Sequence, residues 1–262
     1  MLRRSWPLPA ALLSLCFLVP GSPASGGGPI SKPRWLGGVV ITEYWPAPER
    51  WFSGKLVAAP GLTTLHRVDW LYSGSGVSMQ GDGIGLDGVE YHIQTVGDQG
   101  WVDEQGHSTA PGAGGWTSGF PFWRGVGWRA KSGLVTFPLL DGTWFHGPPK
   151  RYIEPQGITF STGSSRSLIP WRSVAVDPGL IPIGSRIFVP ALCATPGHGW
   201  VIAADTGGAI IGRHLDLYRP APASRGISSD VWTSRQIWVL PPDAKLPKRL
   251  PTCDGGDSPS RG

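Results

Sequence analysis

Alternation of apolar and polar positions recurs in the C-terminal half of the chain and predicts short β-strands. In residues 172–190 it predicts a strand that ends at Asp177, a Pro-Gly turn and a second strand, and it continues through 199–208, 209–218 and 235–241. Near the start, the β-branched run VVITEYW (39–45) predicts one more strand. Since no amphipathic helix of useful length separates these segments, the pattern predicts an all-β barrel or sandwich.

The stretch 52–150 has a different character. It is rich in turn formers, as in GSGVSMQGDGIGLDG, and tryptophans punctuate its short strand-like pieces. Residues 25–37 (SGGGPISKPRWLG) predict a flexible linker. The Pro-rich and Gly-rich tail 242–262 is expected to be flexible except where a cysteine anchors it.

Residues 1–24 are typical of a secretory signal peptide. Two arginines near the start precede the apolar stretch LPAALLSLCFLVP and a small-residue cleavage site, Ser-Pro-Ala. The apolar stretch is too short for a comfortable membrane span, so we expect an exported protein without stable membrane insertion. A lipid anchor at Cys16 is an open alternative, although Leu15 stands where a small residue would be expected.

Composition favours a folded chain over a disordered one. Gly (39) and Pro (27) are abundant, but 14 Trp and 40% hydrophobic residues are more than disordered segments carry. The formal charge of +5 falls to about +3 without the two N-terminal arginines, which suits loose attraction to an anionic cell wall. No basic run is dense enough to predict nucleic-acid binding.

Two cysteines remain beyond the targeting segment, Cys193 and Cys253. They form either one disulfide or two free thiols. Because the chain is expected in an oxidising compartment, we predict the disulfide, which would tie the tail to the barrel.

Three aspartates in the C-terminal half are the candidate functional acids. Asp177 and Asp205 each close a predicted strand, and each taken singly has the alternative of an ordinary turn aspartate. Asp216 lies within a strand between two leucines, where burial would raise its pKa and allow it to donate a proton. His214 shares a strand face with Asp216 and either tunes it or lies on a wet surface.

The motifs AVDPGLIPIGSRIFVP, ADTGGAIIGRHLDLY and RQIWVL, in this order over about 170–241, resemble the three-aspartate (3D) domain. Lytic transglycosylases of the MltA type and related exported cell-wall proteins share that domain. The resemblance implies a double-psi β-barrel (38–51 plus 151–241) and an inserted, mainly β second domain (52–150). It also implies a groove between the two domains that holds a glycan strand.

The resemblance further implies peptidoglycan as the partner and a lytic transglycosylase activity, with Asp216 as acid then base and with Asp205 and Asp177 in support. It implies no cofactor, and we expect a monomer. Candidate substrate-binding residues are Tyr44, Gly207, Gly208, Arg213 and His214. The family often has Lys where this chain has Ile211, and Arg213 is a candidate replacement.

Two rival interpretations remain. Double-psi barrels also occur in expansin-like proteins that bind polysaccharide without cutting it. Three aspartates could also bind a hard cation, but no DxDxD spacing or His/Cys ligand pattern accompanies them, so no metal site is predicted. The absence of GxSxG gives no support to a serine hydrolase. Among the tryptophans, Trp116, Trp123 and Trp128 are the better candidates for stacking on a sugar, although Trp is more often a core residue.

Overall fold

In the computed structural model, the described residues are 28–109, 122–140, 143–144, 157–225 and 229–254. The predictions about the targeting segment 1–24 with Cys16, and about Trp116, concern positions outside these ranges. So do the first linker positions, 25–27, and the end of the tail, 255–262.

The secondary structure is mostly β. The strands in chain order are β1 (Arg34–Tyr44), β2 (Ala47–Pro48), β3 (Leu56–Val57), β4 (His66–Arg67), β5 (Asp82–Ile84), β6 (Glu90–Val96), β7 (Trp101–Val102), β8 (Gly127–Arg129), β9 (Val135–Thr136), β10 (Leu139–Leu140), β11 (Thr143–Trp144), β12 (Ile158–Thr162), β13 (Ser173–Val176), β14 (Arg186–Phe188), β15 (Trp200–Asp205), β16 (His214–Tyr218) and β17 (Trp232–Leu240). The helical elements are α1 (Val68–Tyr72), α2 (Val77–Gln80) and 3-10 turns at Glu49–Trp51, Phe122–Arg124 and Pro190–Leu192. None of the helices in these ranges is long and apolar enough to cross a membrane.

Six strands close into a barrel in the order β1-β16-β13-β15-β14-β17. The pairs β1/β16 and β13/β15 are parallel, and the other four pairs are antiparallel. The prediction of an all-β protein built on a barrel is therefore confirmed.

Strict alternation along the strands fills the barrel. Each strand directs two apolar side chains inward at positions i and i+2, with Val189 lying just past the end of β14. These residues are Val39, Ile41, Val174, Val176, Ile187, Val189, Val201, Ala203, Leu215, Leu217, Ile237 and Val239, all of them buried. At about 1.5–3 kcal/mol for each fully buried large aliphatic side chain, this layer is the main source of the barrel's stability.

A second region, which holds β2–β12, has its own core. Its largest sheet has the order β12-β6-β5-β2, and smaller sheets pair β3 with β4, β10 with β11, and β7 with β8 and β9. The core is aromatic, and its largest fully buried members include Trp70, Tyr72, Trp128 and Phe160. The indole Nε1 of Trp70 donates a hydrogen bond to the carbonyl of Ala47 at 2.7 Å, so the tryptophan's polar atom is satisfied inside this core.

The barrel strands begin and end at positions that differ from the predicted domain boundaries. The expected linker 25–37 overlaps β1, because Trp35 pairs with Trp238 and Leu36 with Ile237. The Gly37-Gly38 pair marks an irregularity in that pairing rather than a linker, and Gly38 has φ +67°. After Tyr44 the chain leaves the barrel, since β2 pairs with β5, and β12 pairs with β6, so the chain returns to the barrel only at β13.

The predicted disulfide is present. Cys193 and Cys253 are bonded, with their Cα atoms 5.6 Å apart. The described part of the tail lies against the outside of the barrel, where Ala244 and Leu250 contact a cluster of Phe188, Trp238 and Leu240. The tail is thus anchored both covalently and by packing.

Candidate functional site

Four residues form a row across the outer wall of the barrel. The registers pair Thr42 with Asp216, Asp216 with Ala175, and Ala175 with Asp205, on β1, β16, β13 and β15. Because the flanking positions point inward, these four side chains point outward. The small Ala175 separates the two acids, whose Cα atoms lie two strand spacings, or about 10 Å, apart.

A β-bulge brings Asp205 onto this face. Val201 and Ala203 both point into the barrel, so strict alternation would direct Asp205 inward too. The pairing of β13 with β15 shifts between Val174/Ala203 and Ala175/Asp205, which adds one residue to β15. The side chain of Asp205 therefore points to the outer face of the barrel. The sequence ADTGG did not reveal this bulge.

The carboxyl group of Asp216 receives few hydrogen bonds from its neighbours. Within the described residues, its side chain accepts one hydrogen bond, from Thr42 Oγ1 to Oδ1 at 2.6 Å. Burial raises the pKa of Asp216 to about 6, the Thr42 hydrogen bond opposes this, and the charge of Glu43 raises the pKa further. Asp216 can therefore hold a proton near neutral pH, as a general acid must.

Asp205 is surrounded by donors. Its carboxylate accepts hydrogen bonds from the Tyr44 hydroxyl at 2.8 Å and from the Thr206 amide at 2.7 Å, and it forms an ion pair with Arg166. This charge is compensated by its neighbours, whereas that of Asp216 is not. The two acids on one face are therefore suited to different tasks.

A short strap, Ser164–Arg166, delivers Arg166 to the site. The hydroxyl of Ser164 bonds to Glu90, and both the amide and the hydroxyl of Ser165 donate to Asp82 at 2.6 and 2.8 Å. Acids of the second region thus anchor the strap, whose third residue is paired with a barrel acid. The strap holds the two regions together beside the acids.

Asp177 connects two turns. Its Oδ1 accepts a hydrogen bond from the amide of Gly179 at 2.9 Å, and its Oδ2 accepts one from the amide of Gly212 at 2.7 Å. Both oxygens are occupied by backbone donors, so Asp177 fixes the chain that leads into β16 and thereby the position of Asp216.

The predicted substrate-binding residues are only partly brought together. Tyr44 and His214 lie on the face that carries Asp216. Arg213 is exposed and donates to the carbonyl of Gly37 at 3.0 Å. The basic side chain that contacts one of the three aspartates is Arg166, which pairs with Asp205.

The Gly207-Gly208 pair gives room to its neighbours. A Cβ on Gly208 would lie 3.1 Å from the carbonyl oxygen of Trp123, and one on Gly207 would lie 2.9 Å from Ile210. The 3-10 turn Phe122–Arg124 of the second region therefore approaches the barrel directly at Gly208. Trp123 is half-buried at this contact, whereas Trp128 is 0% exposed and belongs to the second core, so its proposed sugar contact was wrong.

An open groove of about 350 Å³ lies between the two regions, next to Tyr218, which is two residues along β16 from Asp216. Its walls come from both regions and consist of Pro46, Arg50, Ile84, Gly88, Glu90, Tyr218, Pro220 and Ala221. Over the described ranges, no group of three or more His, Cys, Asp or Glu residues is placed to hold a metal ion.

Two residues of the site, Thr42 and Arg166, were missed by sequence reasoning. Thr42 had a usable signal, because it is a polar position on the same face as Tyr44 in a strand whose other face is apolar. Arg166 had none, since nothing in its serine-rich turn indicates a contact with Asp205.

Residues 172–240 match the family model described as the 3D domain. The chain is therefore similar to the 3D domain over this segment. Its matched segment includes Asp177, Asp205 and Asp216, and five of the six barrel strands. The predicted resemblance to this domain is confirmed.

Two curated relatives are similar to a short stretch of the chain. The chain is 45% identical over 53 residues to YabE of Bacillus subtilis (strain 168), a candidate cell wall shaping protein, and 46% identical over 50 residues to the cell wall-binding protein YocH of the same organism. These matches cover 20% and 19% of this chain, but only 12% of YabE and 15% of YocH.

The solved structures that resemble this chain include two lytic transglycosylases. The membrane-bound lytic murein transglycosylase of Agrobacterium tumefaciens has a TM-score of 0.36 at 14% identity, over 80% of this chain and 77% of that one. E. coli MltA with bound chitohexaose has a TM-score of 0.35 at 14% identity, over 78% and 71%. Similarity at this level does not establish a shared activity.

Proposed function

We propose that this chain is an exported peptidoglycan lytic transglycosylase in which Asp216 acts first as an acid and then as a base. The observation that carries the proposal is the contrast between two acids on one barrel face. Asp216 has one donor and a pKa raised to about 6, whereas Asp205 is compensated by Tyr44, Thr206 and Arg166. A single proton-holding acid suits a reaction that recruits no water.

The proposed reaction starts with protonated Asp216 beside the bond between N-acetylmuramic acid and N-acetylglucosamine. Asp216 gives its proton to the glycosidic oxygen, and the bond from C1 to that oxygen breaks. The ionised carboxylate then takes the proton of the muramic acid C6 hydroxyl, and O6 forms a bond to C1. The products are a free N-acetylglucosamine hydroxyl and a 1,6-anhydro end, and Asp216 is again protonated. Attack by a group of the same sugar gives the step its proximity advantage.

The other acids serve this reaction by position. Asp205 holds the Tyr44 hydroxyl and Arg166, so we assign it the task of ordering the wall beside Asp216 rather than that of the main counter-charge to the transition state. Asp177 fixes the turn at Gly212 that leads into β16. Both are positioning residues in this proposal.

The substrate we propose is a glycan strand in the groove between the regions. Tyr218 and Glu90 line the groove on opposite sides. Tyr44, on the barrel face that carries Asp216, and the Gly207-Gly208 turn beside Trp123 are the further contacts that we propose. The proposal includes a double-psi path for the barrel, an inserted second domain that holds β2–β12, export directed by residues 1–24 and a monomeric protein.

A second candidate function is a wall-binding module without catalysis. YocH, which shares the 3D segment at 46% identity, is named as a cell wall-binding protein. Ile211 is 45% exposed where the family often has Lys, so one contact expected of the enzymes is missing. This candidate predicts binding to the wall with no new chain ends.

The deciding experiment is digestion of purified sacculi, with mass spectrometry of the soluble products. Wild type should release fragments with 1,6-anhydro ends. The Asp216→Asn variant should lose about a hundredfold or more of that release, because an amide cannot give and reclaim the proton. Glu104→Gln is the matched control, since it also neutralises one carboxylate, at an exposed turn of the second region.

Three outcomes would contradict the proposed activity. Intact strands that retain bound protein would favour the wall-binding module. Products with reducing ends in place of anhydro ends would indicate hydrolysis by an activated water, and release by Asp216→Asn at the wild-type rate would remove Asp216 from its role.

A further inference from the structure

The hydroxyl of Thr42 lies between two ionisable side chains. It is 2.6 Å from Asp216 Oδ1 and 2.9 Å from His214 Nε2. A hydroxyl has one proton, so it can donate to only one of these neighbours and must accept from the other. The registers Val40↔His214 and Thr42↔Asp216 place all three side chains on one barrel face, so the arrangement is built into two paired strands.

When Asp216 is ionised, the number of available protons fixes the direction of both hydrogen bonds of the Thr42 hydroxyl. A carboxylate has no proton to donate, so the Thr42 hydroxyl must donate to Oδ1. The Thr42 oxygen then needs a donor on its other side, and this can only be a protonated Nε2 of His214. A proton added to Asp216 at Oδ2 leaves both hydrogen bonds in place.

We propose that His214 is a positioning residue that acts on Asp216 through Thr42, and not a contact for the sugar. Its Nε2–H turns the Thr42 proton toward Oδ1, and the acid proton is then carried on Oδ2. Within the described residues Oδ2 has no hydrogen-bond partner, so it is the oxygen free to serve a substrate. The catalytic meaning of this arrangement rests on the proposed function, but the arrangement itself does not.

Two influences act on His214 in opposite directions. Burial lowers its pKa and is the larger influence, while a hydrogen-bonding interaction with the backbone of Ala209 raises the pKa because it favours a proton on the ring. The other ionisable groups around Asp216 are Glu43 and Tyr44 on β1, Tyr218 on its own strand, and the Asp205–Arg166 pair beyond Ala175. The neighbouring strand β13 carries no ionisable side chain.

The test is NMR titration of the Asp216 side-chain carbon and of the His214 ring nitrogens in the intact protein. Wild type should show the Nε2–H tautomer above pH 7. Thr42→Val should raise the Asp216 midpoint by about one pH unit, because the charged form loses a hydrogen bond, and Thr42→Ser should restore it. His214→Phe should raise the midpoint in the same direction by less.

The double variant separates relay from direct contact. If His214 acts through Thr42, His214→Phe should cause no further change in a Thr42→Val background. An equal change in both backgrounds overturns the proposal, as does an Nδ1–H tautomer with Nε2 as acceptor. The titration can be measured on a protein that has no activity. If no anhydro products are found, the proposed function is rejected, and the titration still tests the arrangement of His214, Thr42 and Asp216. If turnover is observed, the pH profile of release should move with the Asp216 midpoint.

Discussion

Each region of the molecule buries a carboxyl group, and the two groups are treated in opposite ways. Glu49 of the second region is 0% exposed and accepts three hydrogen bonds, from His66 Nδ1, the Arg67 amide and the Leu86 amide, at 2.7–3.0 Å. Asp216 on the barrel accepts one, from Thr42. Protein donors thus fill three of the roughly four acceptor sites of Glu49, whereas among the described residues one donor contacts Asp216.

This difference teaches how the fold separates structure from chemistry. A buried carboxylate that accepts several hydrogen bonds has a structural role, because the groups that donate to it would be left unsatisfied without it. A partly buried carboxyl group with one donor favours its protonated form and remains available to a substrate. Glu49 is the more buried of the two acids, so burial alone would not single out Asp216 as the proton donor, whereas the number of hydrogen-bond donors does.

Substitution of Glu49 should have the largest effect on stability. Glu49→Gln places an NH₂ among three donors and leaves at least one of them unsatisfied, so we expect a loss of about 3–5 kcal/mol in the free energy of unfolding. Urea unfolding at pH 7 measures this loss. Glu104→Gln, exposed in the same region, should change stability by less than about 0.5 kcal/mol. A loss below about 1 kcal/mol for Glu49→Gln would end the distinction between the two acids.

Substitution of Asp216 should stabilise the protein at high pH. The folded pKa is raised from 3.8 to about 6, so between these values the folded state holds a proton that the unfolded state has released. Stability contributed by this group is therefore present below about pH 4, falls as pH rises to about 6, and stays lower above it. A shift of about two units corresponds to at most about 3 kcal/mol.

Urea unfolding from pH 4 to pH 8 should reveal this. Asp216→Asn should be more stable than wild type at pH 8 by up to about 3 kcal/mol, and the difference should shrink toward pH 4. The difference between the two proteins cancels all other titrating groups. A gap that does not change with pH, or an Asn variant that is less stable at pH 8, would show that Asp216 is not disfavoured in its charged form.

The barrel and its acids were more predictable from sequence than the second region. Val174 and Val176, or Leu215 and Leu217, alternate within single strands, and one pattern suffices to place each pair in the core. Most of the strands around the aromatic core have no such local pattern, because they are only two or three residues long and are too short to show a period. Trp123 and Trp128 look alike in sequence, and only packing separates the half-buried one from the buried one.

The surroundings of the acids were not predictable for a related reason. Thr42 meets Asp216 across 174 positions of sequence, and the bulge that turns Asp205 outward depends on the register of two parallel strands. The motif located the carboxyl groups, while the side chains that contact Asp216 and Asp205, which are Thr42, Tyr44 and Arg166, come from segments outside it. Strand register determines which donors each acid meets. The register depends on both paired strands, so neither strand's sequence alone predicts it.

The smallest predicted effect belongs to Arg166. Its side chain is 45% exposed, so its ion pair with Asp205 should contribute about 1 kcal/mol or less to stability. Arg166→Gln should therefore fold normally, and its loss of stability should diminish further in high salt.

In this variant Asp205 loses its ion pair but keeps the hydrogen bonds from Tyr44 and Thr206, so it still has more donors than Asp216. NMR titration of the Asp205 side-chain carbon should show a midpoint higher than in wild type, because the charged form has lost a cation, while Arg166→Lys should keep most of the effect. An unchanged midpoint in Arg166→Gln would mean that Tyr44 and Thr206 alone keep Asp205 charged, and the contrast between the two barrel acids would then rest on hydrogen bonds and not on the ion pair.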